Sequence, residues 1–165
     1  MSVKNRLIPS ALGRSTASRA AVCAVAVGAA VFGLPSPSWA DDNYYGSCSY
    51  SFVACQTGVE VSPPTGVDWC KSKDYAADTQ VCIKFDGDIV YVKDGKSDGH
   101  SAMGWIGTPY AGSLSERFCR NPHGAGTWAK CNFDWVEDTT KDVMGGIRKD
   151  SSTMDLYPYG AFYDG

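Results

Sequence analysis

Two histidines, seven cysteines and many aspartates are the residues of this 165-residue chain with chemistry to offer. His100 and His123 are the only imidazoles, and a Ser-His-Asp arrangement would need one of them beside Ser101, Ser113 or Ser115. No spacing selects such a set. Ala111-Gly-Ser-Leu-Ser-Glu116 lacks the second glycine of a nucleophile elbow. His100 follows Asp98-Gly99 and His123 follows Pro122, so both read as solvated loop residues. Two histidines build none of the His-Glu-x-x-His motifs, and zinc is not expected. Acidic residues are plentiful enough for a paired-carboxylate glycosidase, but abundance singles out no pair.

Calcium is the better metal question. Asp86-Gly-Asp88 and Asp94-Gly-Lys-Ser-Asp98-Gly crowd four carboxylates near one hairpin, and calcium takes several carboxylate and carbonyl oxygens. Their spacing does not fit the twelve-residue calcium loop, and Asp-Gly is common turn chemistry, so turns are expected here, with no metal and no cofactor.

The cysteines point to covalent architecture. A basic start (Lys4, Arg6, Arg14, Arg19), an apolar run from Ala20 to Leu34 and the ending Pro-Ser-Trp-Ala read as a signal peptide over 1–40, cut after Ala40. The run is shorter than the roughly 20 residues that cross a membrane. Cys23 stands at its start with no lipobox, and the separated arginines are no twin-arginine signal. Six cysteines follow the leader, Cys48, Cys55, Cys70, Cys82, Cys119 and Cys131. An even count in a small exported chain reads as a disulfide framework. Of the 15 pairings six cysteines allow, the nearest-neighbour set is expected: 48 with 55, 70 with 82, and 119 with 131. A secreted, extracellular protein is the expectation.

All 18 acidic residues follow the leader while four of the 15 basic ones lie in it, leaving 11 basic against 18 acidic, or −7. Nucleic acid and an anionic membrane both call for a basic surface, so neither is expected as a partner.

The elements that must position these residues are strands. No stretch after the leader keeps a three-to-four apolar spacing, and Gly, Pro and Asp-Gly interrupt throughout. Gln80-Val-Cys-Ile-Lys-Phe85 alternates, Asp86-Gly87 is a two-residue hairpin turn, and Asp88-Ile-Val-Tyr-Val-Lys93 runs back. His100 to Ile106 then reads as a third strand of a meander. Glu116–Arg120 and Thr127–Trp135 flank a turn-rich segment, so Cys119 and Cys131 are expected to face each other across a hairpin. A last strand is expected over Val143–Arg148, followed by an irregular aromatic tail. The expected fold is all-β: a small antiparallel β-sandwich or barrel-like meander stapled by three disulfides. An irregular cysteine-containing segment, 41–79, would pack with the β domain, 80–165, as one unit.

Aromatic residues carry the most usable functional signal. Trp69, Phe85, Trp105, Phe118 and Trp128 sit on apolar faces of predicted strands and are expected in the core. Two clusters lie outside those strands: Tyr44 and Tyr45 with Tyr50 and Phe52, and Tyr157, Tyr159, Phe162 and Tyr163. Aromatics at chain ends and loops order cheaply and dominate binding energy at interfaces. They also stack on sugar rings. The competing reading is that the two ends pack together and seal the core.

Val81-Cys-Ile-Lys-Phe-Asp-Gly-Asp-Ile-Val-Tyr-Val-Lys-Asp94, Ser97-Asp-Gly-His-Ser-Ala102 and the run from Cys119 to Trp135 resemble small secreted proteins of filamentous high-GC Gram-positive bacteria. In those, a cysteine precedes an Asp-Gly-Asp turn, an Asp-Gly-x-Ser-Ala step follows, and Gly-x-Gly-Thr-Trp-x-x-Cys-Asn closes the pattern. The resemblance covers about residues 80 to 135 and implies a stapled β fold and export, with no assigned activity. In size and export alone, the chain is similar to adaptor subunits of secreted umbrella-shaped toxin particles.

The resulting expectation is a secreted non-catalytic binding or adaptor module whose loops and aromatic clusters meet a secreted protein or a polysaccharide. Tyr44, Tyr45, Tyr110, Tyr157, Tyr159, Phe162 and Tyr163 are its expected contacts. A proteinase inhibitor presenting the loop Gly107-Thr-Pro-Tyr-Ala-Gly-Ser113 is the alternative, and a small hydrolase using His100 or His123 the third reading.

Overall fold

The computed structural model describes residues 46–71, 78–110 and 113–165, with residues 109, 110, 113 and 114 described by their backbone alone. A 3-10 turn at Gly46–Ser49 precedes ten strands: β1 (Val53–Thr57), β2 (Val59–Val61), β3 (Trp69–Lys71), β4 (Gln80–Lys84), β5 (Ile89–Lys93), β6 (Ser101–Tyr110), β7 (Ser113–Asn121), β8 (Trp128–Asn132), β9 (Thr140–Arg148) and β10 (Met154–Tyr163). Two five-stranded sheets result, one in the order β1-β7-β6-β9-β10 and the other β2-β8-β5-β4-β3. The fold is an all-β sandwich, and every strand pairing but one is antiparallel.

The β4–β5 hairpin forms where the Asp-Gly turn demands it. Gly87 and Asp88 are left-handed, at φ 86° and 51°, a region open to glycine and tolerated by aspartate. The chain then departs from a meander. β5 takes β8 as its second partner, and β6 joins the opposite sheet between β7 and β9. Both faces of β6 are apolar, which explains the move. Ala102 and Ile106 point between the sheets, while Met103 and Trp105 lie on the outer face with Val53 and Phe118.

All three disulfides join the nearest-neighbour pairs: Cys48–Cys55, Cys70–Cys82 and Cys119–Cys131. Cys70 and Cys82 stand directly opposite on β3 and β4. Cys119 and Cys131, expected across a hairpin, instead bridge the two sheets: Cys119 is on β7, and Cys131 is paired with Val90 in the other sheet. Both are buried in the main core. Three such bonds fit an oxidising, extracellular environment, and among the described residues no helix is long and apolar enough to cross a membrane.

Two further expectations are corrected. The 41–79 segment is not irregular where it is described, because it supplies β1, β2 and β3 as edge strands. They are only three to five residues long, too short to show a period. The aromatic tail is likewise a strand, β10, with the last expected strand starting three residues early as β9. Pro158 and Gly160, which read as breakers, flank a bulge on this edge strand, where proline is tolerated.

The bulge places Tyr159 and Phe162 in the core, 3% and 5% exposed. Tyr159 lies over Gly145, where a Cβ would come within 2.4 Å of its ring. Its hydroxyl donates to the Thr79 carbonyl at 2.7 Å. Phe162 packs against Trp69, Phe85 and Trp135 and closes the sandwich on the β3/β10 side. On the opposite side the chain itself changes sheets at Gly58, between β1 and β2. A Cβ there would come within 2.8 Å of the Ala129 Cβ.

Candidate binding groove

The crossing at Gly58 leaves a gap between the sheets. β1 runs parallel to β7, with Ala54 opposite Arg117. The Glu116 N–H donates to the Phe52 carbonyl and the Gly58 N–H to the Arg120 carbonyl, at 3.0 and 2.8 Å. Even-numbered backbone groups of β1 therefore face β7, and those of Cys55 and Thr57 face the open edge. Beside this edge, a groove of about 740 Å³ opens between Phe52, Ala54 and Gln56 on one side and the segment that follows β8 on the other.

Three polar side chains shape it. Gln56 faces the gap and bonds both backbone groups of Asn132: its Oε1 accepts the N–H at 3.0 Å, and its Nε2 donates to the carbonyl. The amide thus stands in for a neighbouring strand at the end of β8. Ser115 Oγ donates to the Phe52 carbonyl at 3.0 Å. Arg117 donates through Nε and Nη2 to the Asp134 carbonyl, at 3.1 and 2.8 Å, and through Nη1 to Ser115 Oγ and the Glu116 carbonyl. Every one of these acceptors is neutral, and no ion pair among the described residues includes Arg117. Burial lowers its pKa and the charges of Asp134 and Asp88 oppose that, and a guanidinium stays charged at physiological pH. The groove thus holds a fixed cation that no carboxylate contacts among the described residues.

Phe52 lines the groove, and Tyr50 stacks on it from outside the lining. Tyr50 and Phe52 stack with centroids 5.4 Å apart and planes 4° apart, and both are exposed, at 56% and 44%. Tyr50 follows the 3-10 turn, the Cys48–Cys55 bond ties that turn to β1, and the Val53 N–H donates to the Tyr50 carbonyl. The rings therefore stand on a covalently anchored base.

The expected contact residues separate. Tyr44 and Tyr45 lie outside the described residues. Tyr110 ends β6, and its side chain lies outside them too. Tyr157 and Tyr163 are exposed on β10, whereas Tyr159 and Phe162 are core residues. Gly107 and Thr108, the start of the proposed inhibitor loop, lie within β6, and Thr108 is fully buried. Residues 107–110 of that segment are strand arm and Ser113 opens β7, while 111 and 112 lie outside the described residues. Trp69 and Phe85 are partly buried, and Trp105, Phe118 and Trp128 fully buried.

Among the described residues the histidines gather no triad, and the Ser113 side chain lies outside them. His123, read as a solvated loop residue, is exposed, and its Nε2 lies 2.8 Å from the Gly58 carbonyl, tying the Asn121–Thr127 turn to the sheet crossing. Ser115 is buried, and its hydroxyl is engaged by Phe52 and Arg117. Ser101 accepts from Arg120 Nε at 3.1 Å. The four aspartates of the hairpin region do not converge either. Asp94 accepts the Lys96 N–H and Asp98 the His100 N–H, as turn residues do, while Asp86 meets Lys84 at the surface. Asp88 turns inward and accepts the Trp135 N–H. The groove was hard to read in the sequence, since Gln56, Arg117 and Asn132 come from three strands. Tyr50 and Phe52 were its one visible signal.

Compared with known proteins, the chain matches no family model, no curated protein and no solved structure.

Proposed function

We propose that this protein is a secreted, non-catalytic binding module, and that an extended segment of another secreted protein lies in the groove beside β1. The observation that carries this reading is the juxtaposition of an open strand edge, the Arg117 guanidinium that no carboxylate contacts among the described residues and the stacked Tyr50–Phe52 pair. An edge strand offers backbone hydrogen bonds to an incoming segment, and pockets beside it select side chains. The guanidinium suits a carboxylate from the partner. The two rings supply apolar area that is already ordered.

The test compares the wild type with a Tyr50→Ser/Phe52→Ser variant, which changes only exposed side chains. Each is immobilised against culture supernatant of the producing cells, and any captured protein is identified, purified and titrated. The double variant is expected to bind it at least tenfold more weakly. Equal binding by both proteins would remove the groove from the account. Retention on chitin, cellulose or peptidoglycan with no captured protein would assign the surface to a polysaccharide instead.

A further inference from the structure

We propose that Asp88, Glu137 and Asp164 bind a hard divalent cation of the calcium class, at a site outside the lining of the groove. Asp88 closes the β4–β5 turn, Glu137 lies between β8 and β9, and Asp164 follows β10. One carboxylate oxygen from each lies within 4.8 Å of the other two. Two oxygens on one calcium ion are separated by up to about twice its oxygen distance of roughly 2.4 Å, which matches.

Proximity of acids alone proves little, and the hydrogen bonds decide more. Asp164 is already balanced: Lys141 Nζ contacts its Oδ1, and the Trp135 indole N–H donates to its Oδ2 at 2.7 Å. The other Lys141 protons go to the Thr139 carbonyl and Oγ1, at 3.1 and 3.0 Å, so this ammonium has none left for Asp88 or Glu137. Asp88 is 6% exposed; its Oδ2 accepts the Trp135 N–H at 2.9 Å, and its Oδ1 is buried with no N–H or hydroxyl donor among the described residues, so that only a proton shared with the Glu137 carboxyl or a cation can satisfy it. A buried carboxylate oxygen without a partner is costly, and a metal ion is one group that removes the cost.

Charge points the same way. Three carboxylates face one ammonium, a local balance of −2, and a divalent cation cancels it. An all-oxygen donor set without imidazole or thiolate selects a hard ion. Glu137 is exposed, so the cluster opens to solvent on its side, and water can complete the six to eight ligands calcium takes. A carboxylate offers about four lone-pair positions, so Asp164 can keep Lys141 and Trp135 and still accept the ion.

The test is thermal unfolding of the purified protein after EDTA treatment, titrated with calcium chloride or magnesium chloride, together with calorimetric titration of calcium. The wild type is expected to bind one calcium and to gain roughly 3–8 °C in Tm at saturating calcium, more than with equal magnesium. Glu137→Gln, at an exposed position, is expected to fold with an unchanged metal-free Tm and to lose at least tenfold in calcium affinity. Asp88→Asn is expected to lose calcium binding too. A wild type indifferent to calcium overturns the proposal, as does a Glu137→Gln variant that binds calcium equally well. If the metal-free protein ignores calcium but gains stability on acidification, Asp88 and Glu137 share a proton and the ion is excluded.

Discussion

Lys141 is the residue whose surroundings say most about how this molecule tolerates charge. It is the largest fully buried side chain among the described residues, and its ammonium meets Asp164 where neither side chain has any exposure. Burying a lone charge is expensive, so the pair is stable only as a pair. Burial alone would raise the Asp164 pKa, but Lys141 and the Trp135 indole outweigh it and hold the carboxyl below its ordinary value. Lys141→Met is therefore expected to cost about 3–5 kcal/mol in urea unfolding measured in EDTA, because Asp164 is left buried and uncompensated. Lys141→Met/Asp164→Leu is expected to recover much of that loss; a single variant as stable as the wild type would show that the pair carries no burial cost. At this scale the sequence revealed types and not meetings. Asp88 stood out in its Asp-Gly-Asp turn, but Glu137 and Asp164 belong to other segments, and nothing local in the sequence joins them. Tyr159 and Phe162 looked like surface aromatics because a bulge, invisible in the alternation, turns them inward.

At the scale of elements, the legible parts were those with local rules. The β4–β5 hairpin follows from alternation around Asp86-Gly87, and the cysteine pairing follows from proximity along the chain. The sheet exchange was not legible. A spacing of twelve between Cys119 and Cys131 suits a hairpin and a sheet-to-sheet bridge equally, and only the partners of β6 and β8 decide between them. Because this bond joins the two layers through the main core, its loss acts on the packing of both sheets. Replacing Cys119 and Cys131 together with alanine is expected to lower unfolding stability by about 3 kcal/mol or more, from loop closure and lost core volume together. Urea denaturation under non-reducing conditions measures this. A change under about 1 kcal/mol would mean that the sandwich does not depend on the bridge. The short edge strands β1 to β3 escaped notice for a different reason: their pairing is set by longer partners and not by their own residues.

Over the whole molecule, among the described residues, the two sides of the disulfide-stapled sandwich are closed differently. The β3/β10 side is sealed by Phe162 and its aromatic neighbours, whereas the β1 side is spanned by a single chain crossing and the Gln56 amide. That asymmetry is why the groove and the Tyr50–Phe52 pair, and not the tail aromatics, carry the functional reading. An acidic chain with the Arg117 guanidinium in its groove would meet a partner through shape and local charge more than through long-range attraction. The measurement that tests this most directly is site-specific photo-crosslinking in culture supernatant, with the reactive group placed at Phe52 or, for comparison, at Tyr163. Both positions are exposed, so neither should disturb the fold. The expected result is one protein adduct, identified by mass spectrometry, from Phe52 and none from Tyr163. An adduct from Tyr163 with none from Phe52 would contradict the account and move the binding surface to β10.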